Sequence, residues 1–402
     1  MMLRMSVIEG VQAAQARLDA AVALGAVVCR DDQAALAQAA ALDAEVPRRQ
    51  LAGLAITIKD WIDVAGLACE GEALERTGRM PERDATAVAR LRAAGAIVIA
   101  KTQPGAEHPI HGRCHHPLDA ERTPGGSSSG EAALIGAGAS LVGLGSDSGG
   151  SIRLPAAWCG VFGFKPSFGL VPNTGHFPRV GGRHDGRTVI GPLAASAADL
   201  LTIMSLICGP DGVDPDCVPV PLRAPSSVDP RGLRVAVVEE AAWAPAGSTR
   251  AAVQAAVSRL ADLGCVIVDE PLPAHLDEAP DITLRYWGRS ALSGAAADRQ
   301  LGAWARFSGR FTRAAAGFDI IVGPVVADVA PVHRPLEGDD YVFTLPWSLT
   351  GWPAVSVPAG TDPATELPLA VQVAAPRWHD HVVLAAASWL GAWSVASKAN
   401  AR

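Results

Sequence analysis

Two clusters of glycine and serine, at residues 125–130 and 145–151, constrain this chain more than any other feature. The apolar segment between them has room for one small-residue helix and one strand, which would bring the two clusters together. Glycine tolerates backbone conformations that side chains forbid, so Gly149 and Gly150 can turn several N–H groups toward the hydroxyl of Ser151. Such a nest of N–H groups is what the oxyanion of an acyl transfer needs. The pattern therefore favours acyl-transfer chemistry at Ser151.

Three other interpretations of the clusters fit less well. Flexible linkers are rarely interleaved with buried apolar runs. A P-loop requires Gly-Lys-Ser/Thr, and no lysine follows either cluster. The segment from Gly143 to Ser148 also lacks the third glycine of the dinucleotide-binding fingerprint. The clusters consequently do not indicate a phosphate-binding loop.

The same stretch resembles the signature of a known family. Its runs Gly-Gly-Ser-Ser-Ser-Gly and Gly-Ser-Asp-Ser-Gly-Gly-Ser-Ile-Arg are similar to the hallmark of the amidase signature family of serine hydrolases. By this resemblance Ser151 occupies the position of the nucleophile, and Ser127 that of a serine that follows a cis peptide bond. Ser129 replaces the usual glycine, a departure that concerns the turn more than the reacting atoms.

A lysine completes the resemblance. Lysine is rare in this chain, and Lys59, Lys101 and Lys165 lie in apolar or glycine-rich surroundings, where an amine can lose its proton and a guanidinium cannot. The residues alone do not choose between Lys59 and Lys101, because each follows an apolar strand. The segment 58–66 is similar to the family's Val-Lys-Asp-Asn-Ile-Asp-Val-Ala-Gly, with Trp61 in place of Asn. This implies that Lys59 is the catalytic lysine and Lys101 a structural partner.

The resemblance implies a Ser-Ser-Lys triad. In it, neutral Lys59 takes a proton from Ser127 while Ser127 takes one from Ser151, which requires that burial lower the pKa of the lysine by several units. The backbone amides expected to form the oxyanion hole are those of Ser148, Gly149, Gly150 and Ser151. The residues expected to support the triad are Ser128, Ser146, Asp147 and Arg153, the last two as an ion pair.

The sequence also leads to a prediction for the substrate pocket. Four residues are expected to contact the substrate: Trp61, Gly126, His176 and Trp347. The chain is shorter than is common in the family, and the shortening falls between about residues 270 and 340, which implies a wider mouth of the pocket. Tryptophans in segments that could reach this mouth are Trp61, Trp287, Trp304, Trp347 and Trp352; the alternative is that they fill the core. Since aromatic rings stack on flat groups, we expect bulky or aryl amides, anilides or carbamates to be preferred over small aliphatic amides.

A loop rich in histidine invites a metal interpretation. It contains Cys114 with His108, His111, His115 and His116. Their spacing matches no zinc template, and the family's chemistry needs no metal. We therefore expect a polar loop at the mouth of the site, with no metal and no cofactor.

Composition restricts the partners. The net charge of −7 comes without a basic cluster, so we expect no nucleic acid. No apolar run reaches membrane-spanning length, the first residues do not resemble a signal peptide, and seven dispersed cysteines fit free thiols in a reducing compartment. We expect a cytoplasmic monomer or homodimer whose partners are a small-molecule amide and water.

The order of predicted elements favours an α/β fold, since strands and helices alternate. Helices are predicted at 5–45 (two), 84–94, 196–207, 249–263 and 280–316, and strands at 54–58, 96–100, 233–238, 266–269, 318–322, 354–357 and 369–373. The resemblance implies one amidase domain over 1–402, with a mixed, twisted central sheet flanked by helices on both faces. Within it we expect N-terminal helices at 1–50, the signature core at 51–200, and the rest of the sheet with substrate-side helices at 231–402.

These patterns lead to one functional prediction and two alternatives. The prediction is an amidohydrolase that forms an acyl-Ser151 intermediate, with esters, anilides and carbamates as further possible substrates. The first alternative is an amidotransferase subunit that makes ammonia for a partner, as the family's transfer-RNA-dependent members do. The second is a non-catalytic, amidase-like scaffold, against which the intact Lys59, Ser127 and Ser151 argue.

Overall fold

The computed structural model describes residues 6–45, 47, 49–178, 186–238, 244–269, 272, 277–288 and 292–391. The helices are α1 (Val7–Ala20), α2 (Asp32–Asp43), α3 (Thr86–Ala93), α4 (Ser129–Gly136), α5 (Arg153–Cys159), α6 (Ala197–Ile207), α7 (Gly247–Asp262), α8 (Glu278–Trp287), α9 (Gly294–Ala314), α10 (Leu345–Thr350) and α11 (Asp380–Leu390). The strands are β1 (Val27–Cys29), β2 (Ala55–Lys59), β3 (Ile97–Thr102), β4 (Glu107–His108), β5 (Gly112–Arg113), β6 (Val142–Asp147), β7 (Phe162–Lys165), β8 (Val189–Ala194), β9 (Arg234–Val237), β10 (Val266–Ile267), β11 (Ile320–Pro324), β12 (Ala354–Thr361) and β13 (Pro368–Ala374).

One mixed sheet runs through the described part of the chain. Its eleven strands follow the order β1-β3-β2-β6-β8-β7-β12-β13-β11-β9-β10. The pairs among β3, β2 and β6 are parallel, as are those among β11, β9 and β10, and the remaining pairs are antiparallel. Pairing of β7 with β12 joins the strands of residues 51–200 to those of 231–402. The predicted α/β class with a mixed sheet is confirmed.

Helices cover both faces of this sheet. Successive side chains of a strand point to opposite faces, and along β11 Ile320 lies in one apolar core whereas Ile321 lies in another. Helices α6, α7 and α11 contribute to the core that contains Ile320, and α9 and α10 to the core that contains Ile321. None of the helices within the described ranges is long and apolar enough to cross a membrane.

The predicted helices are present, and the segment predicted at 280–316 forms two helices, α8 and α9, on either side of residues 289–291, which lie outside the described ranges. Helix α6 begins as predicted, because the Ser196 hydroxyl accepts a hydrogen bond from the Asp199 amide. Three strands of the sheet, β1, β7 and β8, were not predicted. Strand β8 contains Gly191 and Pro192, which normally argue against a strand. A Cβ atom at Gly191 would collide with the Phe164 carbonyl, so the glycine permits the close approach of β7.

The sheet brings the two glycine and serine clusters to one edge. Strands β2 and β6 are parallel neighbours, so their carboxyl ends, Lys59 and Asp147, lie at the same edge. The segment between the clusters forms one helix, α4, and one strand, β6, as the sequence predicted. The Ser128 amide donates to the Ser151 carbonyl at 3.0 Å, which joins the clusters directly.

Candidate active site

Lys59 lies at the centre of the site, fully buried at the end of β2. Its Nζ atom is 2.6 Å from Ser127 Oγ and 3.3 Å from Ser146 Oγ. Burial lowers the pKa of Lys59 to about 7, although the nearby carboxylates of Glu72, Asp147 and Glu131 oppose this shift. A large share of the Lys59 side chains is therefore neutral near pH 7 and can accept a proton from Ser127.

The second lysine of the sequence prediction has a different environment. Lys101 Nζ forms a buried ion pair with Asp60 at 2.9 Å. The other oxygen of Asp60 accepts the amides of Glu70 and Gly71. Lys101 thus holds the segment that follows Lys59, while Lys59 contacts the serines. The two lysines therefore have different contacts, a difference that the sequence alone did not reveal.

The serines of the first cluster surround the Lys59 amine. The peptide bond between Gly126 and Ser127 is cis, and the Ser127 side chain is half-buried. The Ser129 hydroxyl, where the family has a glycine, donates to the Gly125 carbonyl, so the extra side chain is accommodated inside the turn. Gly126 is buried and its carbonyl accepts the Tyr341 hydroxyl at 3.1 Å.

The second cluster forms a loop braced by a buried ion pair. Asp147 accepts Arg153 Nε and Nη2, both at 3.0 Å, and both side chains are fully buried. Burial alone would raise the pKa of Asp147, but the charge and hydrogen bonds of Arg153 outweigh it and lower the pKa to about 2. Arg153 also donates to the Ser348 hydroxyl and to the Gln372 side chain. The loop is therefore tied to the far half of the sheet.

One of the predicted oxyanion donors is used elsewhere. The Gly150 amide donates to the Asp147 carboxylate at 2.8 Å, so this N–H is directed away from an oxyanion. The amides of Ser148, Gly149 and Ser151 donate no hydrogen bond to any of the described residues. The hydroxyls of Ser127 and Ser151 and the side chain of Ser148 lie on half-buried residues. These three amides are the remaining candidates for oxyanion donors.

Two residues that the sequence analysis missed fix the carbonyls of this loop. Arg187 Nε donates to the Ser148 carbonyl, and Thr344 Oγ1 donates to the Gly149 carbonyl. In a trans peptide the N–H points away from the C=O. Because Arg187 holds the Ser148 carbonyl on one side, the Gly149 N–H is directed to the opposite side. No local sequence pattern singles out Arg187 or Thr344.

A buried carboxyl group behind the triad was also missed. Glu131 accepts hydrogen bonds from Thr57 at 2.6 Å and from Thr102 at 2.7 Å. Burial raises its pKa to about 7, against the opposing hydrogen bonds and the charges of Lys59 and Lys101. The signal in the sequence is a single acidic residue in a helix, α4, made otherwise of small and apolar residues. Glu131 connects β2, β3 and α4 beneath the Lys59 amine.

The tryptophans divide into two groups. Trp347, which the sequence analysis expected at the substrate, is buried in the core, where its ring and that of Trp352 pack against Phe311. Trp304 lies beside that core and donates to the Leu349 carbonyl. Only two of the five reach the site. The Trp61 ring lies 4.0 Å from Lys59 Nζ, and Trp287, which is 40% exposed, lies within 2.9 Å of a Cβ atom placed on Gly149.

The remaining predicted contacts lie around the site. The His176 ring meets the edge of Trp61, with 6.2 Å between the ring centroids. In the histidine loop, Cys114, His108 and His116 are buried, and His116 bonds to the Trp158 carbonyl. Within the described ranges, no group of three or more His, Cys, Asp or Glu side chains is arranged to hold a metal ion.

The chain is similar in sequence to a family of known proteins. The family model described as Amidase matches residues 9–300 and 288–384. A glutamyl-tRNA(Gln) amidotransferase subunit of Anaeromyxobacter sp. (strain K) is 32% identical over 440 residues, which cover 91% of this chain and 88% of that protein.

Two solved structures extend the comparison. The native peptide amidase from Stenotrophomonas maltophilia has 25% identity and a TM-score of 0.81, over 96% of this chain and 93% of that one. A protein from a vestigial complex that reveals the evolutionary origins of an s-triazine catabolic enzyme has 27% identity and a TM-score of 0.85, over 96% and 95%.

Proposed function

We propose that this chain, which belongs to the amidase signature family, is a serine amidohydrolase that cleaves the C–N bond of an amide through an acyl-Ser151 intermediate. The observation that carries the proposal is the buried contact of Lys59 Nζ with Ser127 Oγ at 2.6 Å. A lysine with a pKa of about 7 serves as a base near neutral pH, and arginine does not.

In the proposed acylation step, Ser151 Oγ attacks the carbonyl carbon of the amide. Its proton passes to Ser127 Oγ, and the Ser127 proton passes to neutral Lys59. The negative charge on the carbonyl oxygen is stabilised by the amides of Ser148, Gly149 and Ser151. The C–N bond then breaks, and the leaving nitrogen takes a proton from Ser127, which regains one from the Lys59 ammonium. The products are a free amine and an ester on Ser151.

In the deacylation step, water takes the place of the nucleophile. It attacks the acyl-Ser151 ester, loses a proton through Ser127 to Lys59, and the Ser151 oxygen recovers a proton by the same route. The acid leaves, and the site returns to its starting protonation state. Each turnover therefore consumes one amide and one water and yields one amine and one acid.

The direct test is to incubate the purified chain alone with a panel of aryl and aliphatic amides and to quantify both products. We expect equal amounts of amine and acid, and loss of both in Ser151→Ala. The matched control is Ser205→Ala, an exposed serine on α6, which should leave the rate unchanged. Amide hydrolysis of full rate in Ser151→Ala would refute the proposal.

The second candidate is a component of an amidotransferase. It is supported by the identity of 32% with the glutamyl-tRNA(Gln) amidotransferase subunit of Anaeromyxobacter sp. (strain K), over 91% of this chain. If this is correct, glutamine should be hydrolysed faster than the other amides, and the chain should co-purify with other subunits from its own cells. If the isolated chain instead ignores glutamine and hydrolyses other amides, the amidohydrolase stands and this candidate is excluded.

A further inference from the structure

Glu72 has an unusual backbone conformation beside the site. Its φ is +64°, in the left-handed region that residues with a side chain rarely adopt. Among the described residues only Glu366 and Trp378 share this property without being glycine. Such residues persist where the surrounding structure imposes the conformation, and they concentrate at functional sites. The backbone of Glu72 is therefore held in place by its surroundings, and its side chain has a fixed direction.

The Glu72 carboxylate lies against the turn that holds Ser127. A Cβ atom on Gly105 would collide with Glu72 Oε1, and the Gly105 amide donates to the Ser127 carbonyl at 2.8 Å. Among the carboxylates that act on the Lys59 amine, the charge of Glu72 has the largest effect. The carboxylate thus faces the triad from the side of Ser127 and Lys59.

This carboxylate lacks a hydrogen-bond donor within the described part of the chain, although it is half-buried. A desolvated carboxylate without a donor is unfavourable. Burial accordingly raises the pKa of Glu72 to about 7, against the opposing charge of Lys59. A cation or an N–H donor that entered the site would satisfy it.

The proton path indicates which part of the substrate reaches Glu72. Ser127 returns the proton to the leaving nitrogen, so the leaving amine must approach from the side of Ser127. The Trp61 indole borders the same space, because its Nε1 donates to the carbonyl of Gly71, the residue before Glu72. A carboxylate beside an aromatic ring suits a positively charged nitrogen.

We propose that Glu72 and Trp61 form a subsite for a second, positively charged nitrogen on the leaving amine, so that N-acylated diamines are preferred substrates. This inference rests on the amidohydrolase function proposed above. The subsite gives Glu72 a function. Without a bound cation, its negative charge stabilises protonated Lys59 and so opposes the role of Lys59 as a base. A bound cation offsets that charge and increases the neutral share of Lys59.

The charges around the two groups determine the expected pH effect. Lys59 faces the carboxylates of Glu72, Asp147 and Glu131, and Glu72 faces Lys59 and Asp60. Replacing Glu72 by glutamine removes one negative charge near the Lys59 amine. The pKa of Lys59 then falls, so the acid limb of kcat/KM for a neutral amide should move to lower pH.

The test compares two amides of similar length, the monobenzoyl amide of putrescine and N-benzoylpentylamine, which differ in one terminal charge. For the parent protein we expect kcat/KM to favour the putrescine amide at least about tenfold. Measured at about pH 9, above the acid limb, where Lys59 is neutral in both proteins, Glu72→Gln should bring the ratio close to one by lowering the value for the putrescine amide alone. Glu75→Gln, at an exposed position in the same segment, should retain the ratio.

Each outcome decides between two claims. Equal kcat/KM for the two amides in the parent protein, or an unchanged ratio in Glu72→Gln, would overturn the subsite and leave the amidohydrolase intact. Failure to hydrolyse any amide of the wider panel would overturn the proposed function itself. If Glu72→Gln does not fold, Glu72→Gly serves instead, because glycine adopts the left-handed conformation without strain. It should show the same loss of the ratio.

Discussion

At the residue scale, the contrast between an amine and a guanidinium at position 59 determines the chemistry. Lys59 must lose its proton to act as a base, and arginine does not do so in proteins. We expect Lys59→Arg to lower kcat as much as Lys59→Ala, by about 10²- to 10⁴-fold. Steady-state rates on one good amide substrate check this. An active Lys59→Arg variant would exclude Lys59 as the base.

The matched control for this prediction is Lys101→Arg. Lys101 serves as the charged partner of Asp60 at 2.9 Å, and arginine can also carry that charge. The variant should keep more activity than Lys59→Arg. If both variants lost activity equally, the separate roles that we assign to the two lysines would be wrong.

The pKa of Lys59 also predicts the pH dependence. The pKa is about 7, and the proposed base is the neutral amine, so kcat/KM for a neutral amide should rise with pH through about 7 and then level off. The sign follows from the role: a group that acted as an acid would give a fall instead. A profile measured between pH 5 and 9 distinguishes the two, because a fall across this range would contradict the neutral base.

At the scale of elements, the loop between β6 and α5 depends on the buried pair of Asp147 and Arg153. Asp147→Asn would leave the Arg153 guanidinium buried without its counter-charge, which costs about 3–5 kcal/mol. We expect the free energy of unfolding to fall by that amount in a urea titration. Asp229→Asn, at an exposed ion pair with Arg231, should have no resolvable effect. A similar stability for both variants would show that the brace contributes little.

This loop also marks the limit of the sequence prediction. Gly149 and Gly150 beside Ser151 predicted a turn of inward N–H groups, but not which of these groups would bond within the protein. Gly150 donates to Asp147 because the carboxylate lies directly beneath the turn, a contact that depends on the Arg153 pair. Arg187 and Thr344 approach from elements distant in sequence, and no local pattern reports such contacts.

At the scale of the whole molecule, the alternation of elements and the resemblance predicted the α/β sheet well. They failed where tertiary contacts override local patterns. Strand β8 contains Gly191 because β7 packs closely against it. From the sequence, both Trp287 and Trp347 lie in segments that could reach the pocket. In the structure Trp347 lies in the core, whereas Trp287 reaches the site. Nothing local distinguishes an aromatic residue of the core from one of the pocket.

Substrate choice follows from the aromatic residues that do reach the site. Trp61 and Trp287 border the triad, so we expect a higher kcat/KM for an aryl amide or carbamate than for a short aliphatic amide. Trp287→Ala should reduce this ratio by about twofold to tenfold, and Trp287→Phe should reduce it less. A ratio below one in the parent protein would remove the aromatic pocket while leaving the triad untouched.

The central claim is that Ser151 becomes acylated, and intact mass spectrometry after treatment with a fluorophosphonate tests it most directly. We expect one adduct per chain, mapped by peptide digestion to Ser151 and missing in Ser151→Ala. Lys59→Arg should react much more slowly, because its serines lack a neutral base. An adduct on Ser127 or on a cysteine in place of Ser151 would contradict the account.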